Sequence, residues 1–299
     1  MNKWVMVALA VGGVCVLCCG SLMVLGLVAD DTRSSSGGSA SGGARSVPSG
    51  CSDTFDGWHQ EITDRGLVLT KDGLQAELPW PLEFTAELRN GDPDANVWRA
   101  VLGDRYEPGQ LTSGQYGERR LAGPATERAT GRSVYVVFAP GAVNGIASPV
   151  AVIGNDAAAL NAQFPTSGEL MALQNLNRFS LGCAAVAGRW KSGFNSVSER
   201  YSATTGQFIG VQTAAAWRDM SLEEGGSFQR ESSALLNGVF HKSSDSGSWS
   251  NGDWSFVLDR DGAEKIEFNA AFVAVQNGFL LRLQNRKFTS DVEEFARVE

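Results

Sequence analysis

Val5 to Val28 form a run of 24 residues without a charged side chain. A helix rises about 1.5 Å per residue, so the run spans about 36 Å, enough for the roughly 30 Å hydrocarbon layer of a bilayer. Trp4 stands at its edge, where an indole favours the interface. A cleaved signal peptide is the rival reading, but its apolar region is normally about 7–15 residues, and bulky Leu27 lies two residues before Ala29. Thr32 to Gly50 then loses all apolar clustering and becomes rich in Ser and Gly. Such a segment is a flexible coil, with an end-to-end distance of about 25 Å for ~20 residues.

Beyond this tether the pattern becomes that of folded elements. Leu67 and Leu69 alternate with Val68 and Thr70, Lys71-Asp72-Gly73 supplies a turn, and Leu74, Ala76 and Leu78 return until Pro79-Trp80-Pro81 ends the hairpin. Ser133 to Ala139 and Pro149 to Ile153 read as strands. Asn155 or Asp156 is placed to cap a helix through Ala157–Leu160. Thr166 and Glu169 have capping-box spacing ahead of Leu170, Leu173 and Leu176. From about residue 185 the chain reads as strands nearly throughout. Gln207 to Asp219 is followed by a turn at Glu223-Glu224-Gly225-Gly226, and Asn251-Gly252, Asp261-Gly262 and Asn277-Gly278 offer further turns. Ile266, Phe268, Ala270 and Phe272 alternate with Lys265, Glu267 and Asn269, which gives one buried and one wet face. Evenly spaced strands with tight turns predict an antiparallel meander closing into a barrel. Ser290 and Glu293 have the spacing to cap a last short helix near Phe295.

The second part resembles bacterial lipocalin-like domains of the calycin type. The residues that carry the resemblance are Gly188-Arg189-Trp190, Trp217-Arg218-Asp219-Met220 through Gly225-Gly226-Ser227-Phe228, and Gly247-Ser248-Trp249-Ser250-Asn251-Gly252. It implies that Gly188 and Trp190 open the first strand and that Arg282, with Arg286 as the other candidate, packs across Trp190. The first part faintly resembles small α+β domains of the Mog1 and PsbP type, through Trp58 and its early hairpin. The predicted fold class is thus α+β: a transmembrane signal-anchor helix over residues 1–31, a Ser/Gly linker over 32–52, an α+β domain over 53–184 and a lipocalin-like β-barrel over 185–299.

Charge bears on orientation and on partners. Lys3 precedes the apolar run and Asp30 and Asp31 follow it, so the N-terminus is expected in the cytoplasm and the body outside, periplasmic or extracellular. With 25 basic against 33 acidic side chains the net charge is −8, which disfavours nucleic acid as a partner.

Candidate chemistry is sparse. There is no Gly-Lys-Ser or Gly-Lys-Thr, no Gly-x-Ser-x-Gly elbow and no histidine-pair metal spacing. A catalytic base would have to be His59 or His241, both better read as edge residues. Asp259, Asp261 and Glu264 are explained by a turn more simply than by calcium. No catalytic residue, metal or cofactor is predicted.

Cys15, Cys18 and Cys19 lie in the apolar run, where they are read as small hydrophobes or, less simply, as lipidation sites. Cys51 and Cys183 bracket the first domain and are a candidate disulfide if the body is extracytoplasmic. Trp190, Trp217, Trp254 and Phe268 either line an aromatic cavity or fill the barrel. The expectation is a membrane-anchored, non-enzymatic protein whose barrel binds a small apolar ligand or a peptide. The alternative is a filled barrel serving as a structural or protein-interaction module of the envelope.

Overall fold

The structure is a computed structural model that describes residues 54–298, except 115–118, 144, 202–207 and 237–238. The expected anchor over residues 1–31, the expected linker over 32–52 and Cys51 lie outside the described residues. Among the described residues no helix is long and apolar enough to cross a membrane.

The first lobe is built on an antiparallel sheet. Its strands are β1 (Thr54–Phe55), β2 (Trp58–Ile62), β3 (Gly66–Lys71), β4 (Leu74–Pro79), β6 (Tyr106–Pro108), β7 (Thr112–Ser113), β8 (Leu121–Glu127), β9 (Ser133–Ala139) and β12 (Val150–Gly154). They run in the order β1-β2-β3-β4-β12-β9-β8-β6, with β7 beside β8. A small second sheet joins β5 (Leu82–Glu83), β10 (Ala142–Val143) and β11 (Ile146–Ala147).

The predicted β3–β4 hairpin forms around Asp72 and Gly73, whose φ values of 50° and 81° are those of a tight hairpin turn. Leu67 and Leu69 point into the core as the alternation requires. Helices α3 (Ala157–Gln163) and α4 (Ser167–Ala172) cover one face of the main sheet. Asp156 caps the first, and the Thr166–Glu169 capping box opens the second. The sequence reading omitted α1 (Ala86–Arg89) and α2 (Pro93–Val101). Asp92 caps α2 and Pro93 occupies its first turn. Val97 and Trp98 of α2 cover the other face of the sheet against Val136 and Phe138. Strand β9 is therefore buried on both sides, which explains its nearly continuous apolar run.

The second lobe is a closed antiparallel barrel of eight strands. They are β13 (Gly188–Tyr201), β14 (Phe208–Leu222), β15 (Ser227–Leu236), β16 (Val239–Gly252), β17 (Ser255–Arg260), β18 (Ile266–Val275), β19 (Gly278–Asn285) and β20 (Val292–Val298). Two expectations fail here. The segment after Ser290 is strand β20, not a helix. It pairs with β19 over Val292–Ala296 and closes the barrel on β13 through Ala296–Val298. Pairing with β19 along its first part and with β13 along its last satisfies its backbone, and that tertiary pairing outweighs a local capping signal. The turn expected at Asn251-Gly252 falls two residues later, at Asp253 and Trp254, because Asn251 and Gly252 pair with Phe256 and Ser255. Tertiary partners hold the loop there. The Asp253 carbonyl accepts from the Leu181 N–H at 2.8 Å, and the Trp254 carbonyl accepts from the Ala270 N–H at 3.0 Å.

The lobes share one hydrophobic core. The connecting segment runs along β18 beyond the end of β17. The Asn177 side chain donates to the Ala274 carbonyl and accepts from its N–H, both at 2.9 Å. Phe179 and Phe272 exchange backbone bonds of 2.8 and 2.9 Å. Phe179, Leu181 and Val186 are buried, so this segment plugs the barrel end that faces the first lobe. Gln60 of β2 adds a bond to the Arg178 carbonyl at 3.1 Å.

One buried cluster in the first lobe has a pH signature. Glu77, buried on β4, accepts from Arg105 at 2.7 Å and from Gln75 at 2.9 Å. Burial, and then the negative charge of Glu77, push the nearby Tyr106 phenol up to about 12. The phenol therefore stays neutral in the fold above the roughly pH 10 at which an unfolded tyrosine ionises. Its contribution is fully present below about pH 10 and is lost as pH rises through about 12. Tyr106→Phe should remove about 2–3 kcal/mol of alkaline pH dependence. Urea unfolding of both proteins across this interval checks it; parallel profiles would refute the assignment.

Candidate functional site

Strand pairing sorts the barrel's side chains into an inner and an outer set, because residues directly opposite one another in an antiparallel pair project from the same face. One inner row is Gly188, Leu222, Phe228, Gly247 and Arg260. The next is Trp190, Met220, Arg230 and Asp245. Together with Phe256, Phe268, Phe272, Leu281 and Phe295, the apolar residues of these rows pack the described interior at this end. The rings contact one another: Trp190 stacks on Phe272 at 6.0 Å, Phe256 meets Phe268 at 6.2 Å, and Phe272 meets Phe279 at 5.6 Å. The plug residue Phe179 adds an edge-on contact to Phe279 at 5.6 Å. Toward the opposite end the inner face becomes polar. Arg230 holds Asp245 in a two-pronged bond of 2.7 and 3.0 Å, and Arg218 pairs with Glu293.

The structure does not bring the four aromatic residues singled out from sequence into one cavity. Trp190 is a core residue whose indole donates to the Val186 carbonyl at 2.8 Å. Phe268 is also in the packed core. Trp254 sits in the β16–β17 turn, 5.1 Å from the ring of Phe55. Trp217 faces outward and is 44% exposed. It lies three residues from inward-facing Met220 on the same strand, and an odd separation on a strand puts two side chains on opposite faces. The arginine across Trp190 is neither Arg282 nor Arg286 but Arg297, 5.7 Å from the ring and directly opposite it in register. Arg282 has odd separation from inward-facing Leu281 and Leu283, so it lies outside and pairs with Glu294 at 2.9 Å. Arg286 pairs with Glu267 instead. Gly188 has a φ of 138° and lies against the Arg297 guanidinium, so a glycine is what lets that arginine approach.

The feature that the sequence reading missed is an apolar patch on the outer face. Strand β17 pairs with β16 only over Gly247–Gly252, and β20 pairs with β13 only over Arg189–Lys191. The rest of β13 to β16 extends past the closed barrel as a four-stranded arm. Near its end Phe240 is 61% and Val239 is 56% exposed. Phe240 pairs with Leu235, and Ser233, two residues before Leu235, pairs with Trp217. Trp217, Leu235 and Phe240 therefore lie on one outer face. Two ion pairs border them, Lys191–Asp219 at 3.6 Å and Lys242–Glu231 at 3.1 Å. The apolar residues either side of Asn237-Gly238 were the available signal.

Two concavities lie in the first lobe. One, of about 170 Å³, is lined by residues of the 63–68 turn with Glu77, Pro79 and Arg105; the other surrounds the 70–75 hairpin tip. Neither is lined by a barrel residue. His241 is exposed on the arm, and among the described residues no cluster of three metal-ligating side chains occurs. No family model matches the chain, and no curated protein is similar to it.

Proposed function

We propose that this chain is a non-enzymatic interaction module, held at a membrane by its N-terminal apolar run, that recognises a protein partner with the outer face of its barrel. The observation that carries this reading is the contrast between the two faces. Among the described residues the inner face at one end is occupied by Trp190, Phe228, Phe256 and Phe272, which fill the space that a small apolar ligand would need there. The outer face leaves Trp217 and Phe240 in water. Apolar residues grouped on one face and rimmed by charges are the usual composition of an interaction site. The net charge of −8 supports a protein rather than a nucleic acid as the partner.

Two measurements test this. Native mass spectrometry of the gently purified chain is expected to return the mass of the polypeptide alone. A reproducible extra mass that leaves on denaturation would make the barrel a carrier instead. A photo-cross-linking residue at position 240, in cells, is expected to give one discrete adduct, which the same residue at Asn277 does not. Equal labelling at both positions would remove the outer face as the recognition surface.

A further inference from the structure

Cys183 is disulfide-bonded and only 2% exposed. It is the one cysteine among the described residues, and the chain has five. Three of the others, Cys15, Cys18 and Cys19, belong to the apolar run; the fourth, Cys51, precedes β1 by three residues. The packing around the plug separates these choices. The Phe55 ring lies 5.1 Å from Trp254 and beneath the Arg178 guanidinium at 5.9 Å. The neighbouring Asp253 carbonyl accepts from Leu181, two residues before Cys183. The first strand of the body and the plug thus meet at one end of the barrel. Four residues of chain reach about 13 Å, which is the length available between Phe55 and Cys51.

We infer that Cys51 and Cys183 form an intrachain disulfide that fastens the end of the tether to the barrel plug, and that the body therefore matures in an oxidising compartment. In forming it, one thiolate attacks a disulfide of an oxidant, and the second thiolate then displaces that oxidant. The S–S bond forms, two protons leave, and two electrons reduce the oxidant to its dithiol. Such bonds persist outside the cytosol. This gives the same orientation as the Lys3 and Asp30–Asp31 asymmetry, by an argument that does not use charge. The low exposure of Cys183 marks a permanent structural bond rather than one that small thiols turn over.

The test is peptide mapping of the full chain, taken from its native membrane, unfolded, and alkylated before any reductant is added. Trypsin cuts after Arg45, Arg65, Arg178 and Arg189. The expected product joins residues 46–65 to residues 179–189, two hydrogens lighter than the separate peptides, and separates on reduction. The Cys15→Ser, Cys18→Ser, Cys19→Ser triple variant should give the same linked peptide, and Cys51→Ser should leave Cys183 open to alkylation. Alkylation of Cys51 or Cys183 in the unreduced wild-type chain, a link from Cys183 to the apolar run, or a 46–65/179–189 link found only in a covalent dimer would each overturn the inference.

Discussion

Gly247→Ala is expected to destabilise the protein by about 4 kcal/mol, whereas Gly225→Ala changes stability by less than about 0.5 kcal/mol. Gly247 sits on β16 at a φ of 154°, a conformation that residues with a Cβ avoid. A methyl group there would be driven into the Asp259 carbonyl oxygen and would stand 3.0 Å from the Arg260 Cα. Both obstacles are backbone of β17, so no side-chain rotation relieves them. The strain and the overpacking each cost roughly 1–3 kcal/mol, a large fraction of the 5–15 kcal/mol that holds most domains together. Gly225, in the turn between β14 and β15, has open space where its Cβ would be and no positive φ. Urea unfolding of the two variants measures the contrast. A Gly247→Ala loss under about 1 kcal/mol would show that β16 can move away from β17, and the register of the barrel would need revision.

That glycine also shows what was legible in the sequence. Gly188-x-Trp190 and Gly247-x-Trp249 pointed to a barrel of this general type, and the structure supplies an antiparallel eight-stranded one. Their role is visible only in register: Gly188 and Gly247 fall in one inner row either side of Leu222 and Phe228. Local chemistry was read well where it was decisive. The Asp72-Gly73 turn, the Asp156 cap and the Thr166–Glu169 box all depend on a few adjacent residues. Expectations failed where distant chain intervened. β20 became a strand because β13 and β19 wait on either side of it. Counting tryptophans did not separate inside from outside, because Trp190 and Trp217 have the same chemistry and opposite strand parity relative to Met220. The exposed patch was hidden for a related reason. Leu235 and Phe240 read as ordinary strand residues until pairing puts them beside Trp217 on an uncovered face.

The shared core makes the connecting segment the place where the two lobes are most vulnerable. Phe179→Ala is expected to cost about 3–5 kcal/mol, the usual range for removing a buried phenylalanine. Phe179 is fully buried, and its ring meets Phe279 at 5.6 Å. Its backbone is held to Phe272 by two hydrogen bonds, which pin the segment on both sides of the missing ring and limit collapse into the void. The void would be lined by apolar groups, so it should remain dry and accept benzene or xenon, which the wild-type barrel should not. Heat capacity scans should show a second consequence. The wild-type protein is expected to unfold in one transition, because one cluster of side chains spans both lobes. The variant should resolve into two transitions, with the lobe that leaned most on the plug melting first. Asn177→Ala serves as the polar counterpart: it leaves the Ala274 N–H and carbonyl without their side-chain partner and should cost about 1–3 kcal/mol without creating a xenon site. If Phe179→Ala costs less than about 1 kcal/mol and still melts as one unit, the plug does not join the lobes. If the wild-type barrel itself takes up xenon, its interior is not filled, and the case for recognition through the outer face loses its main support.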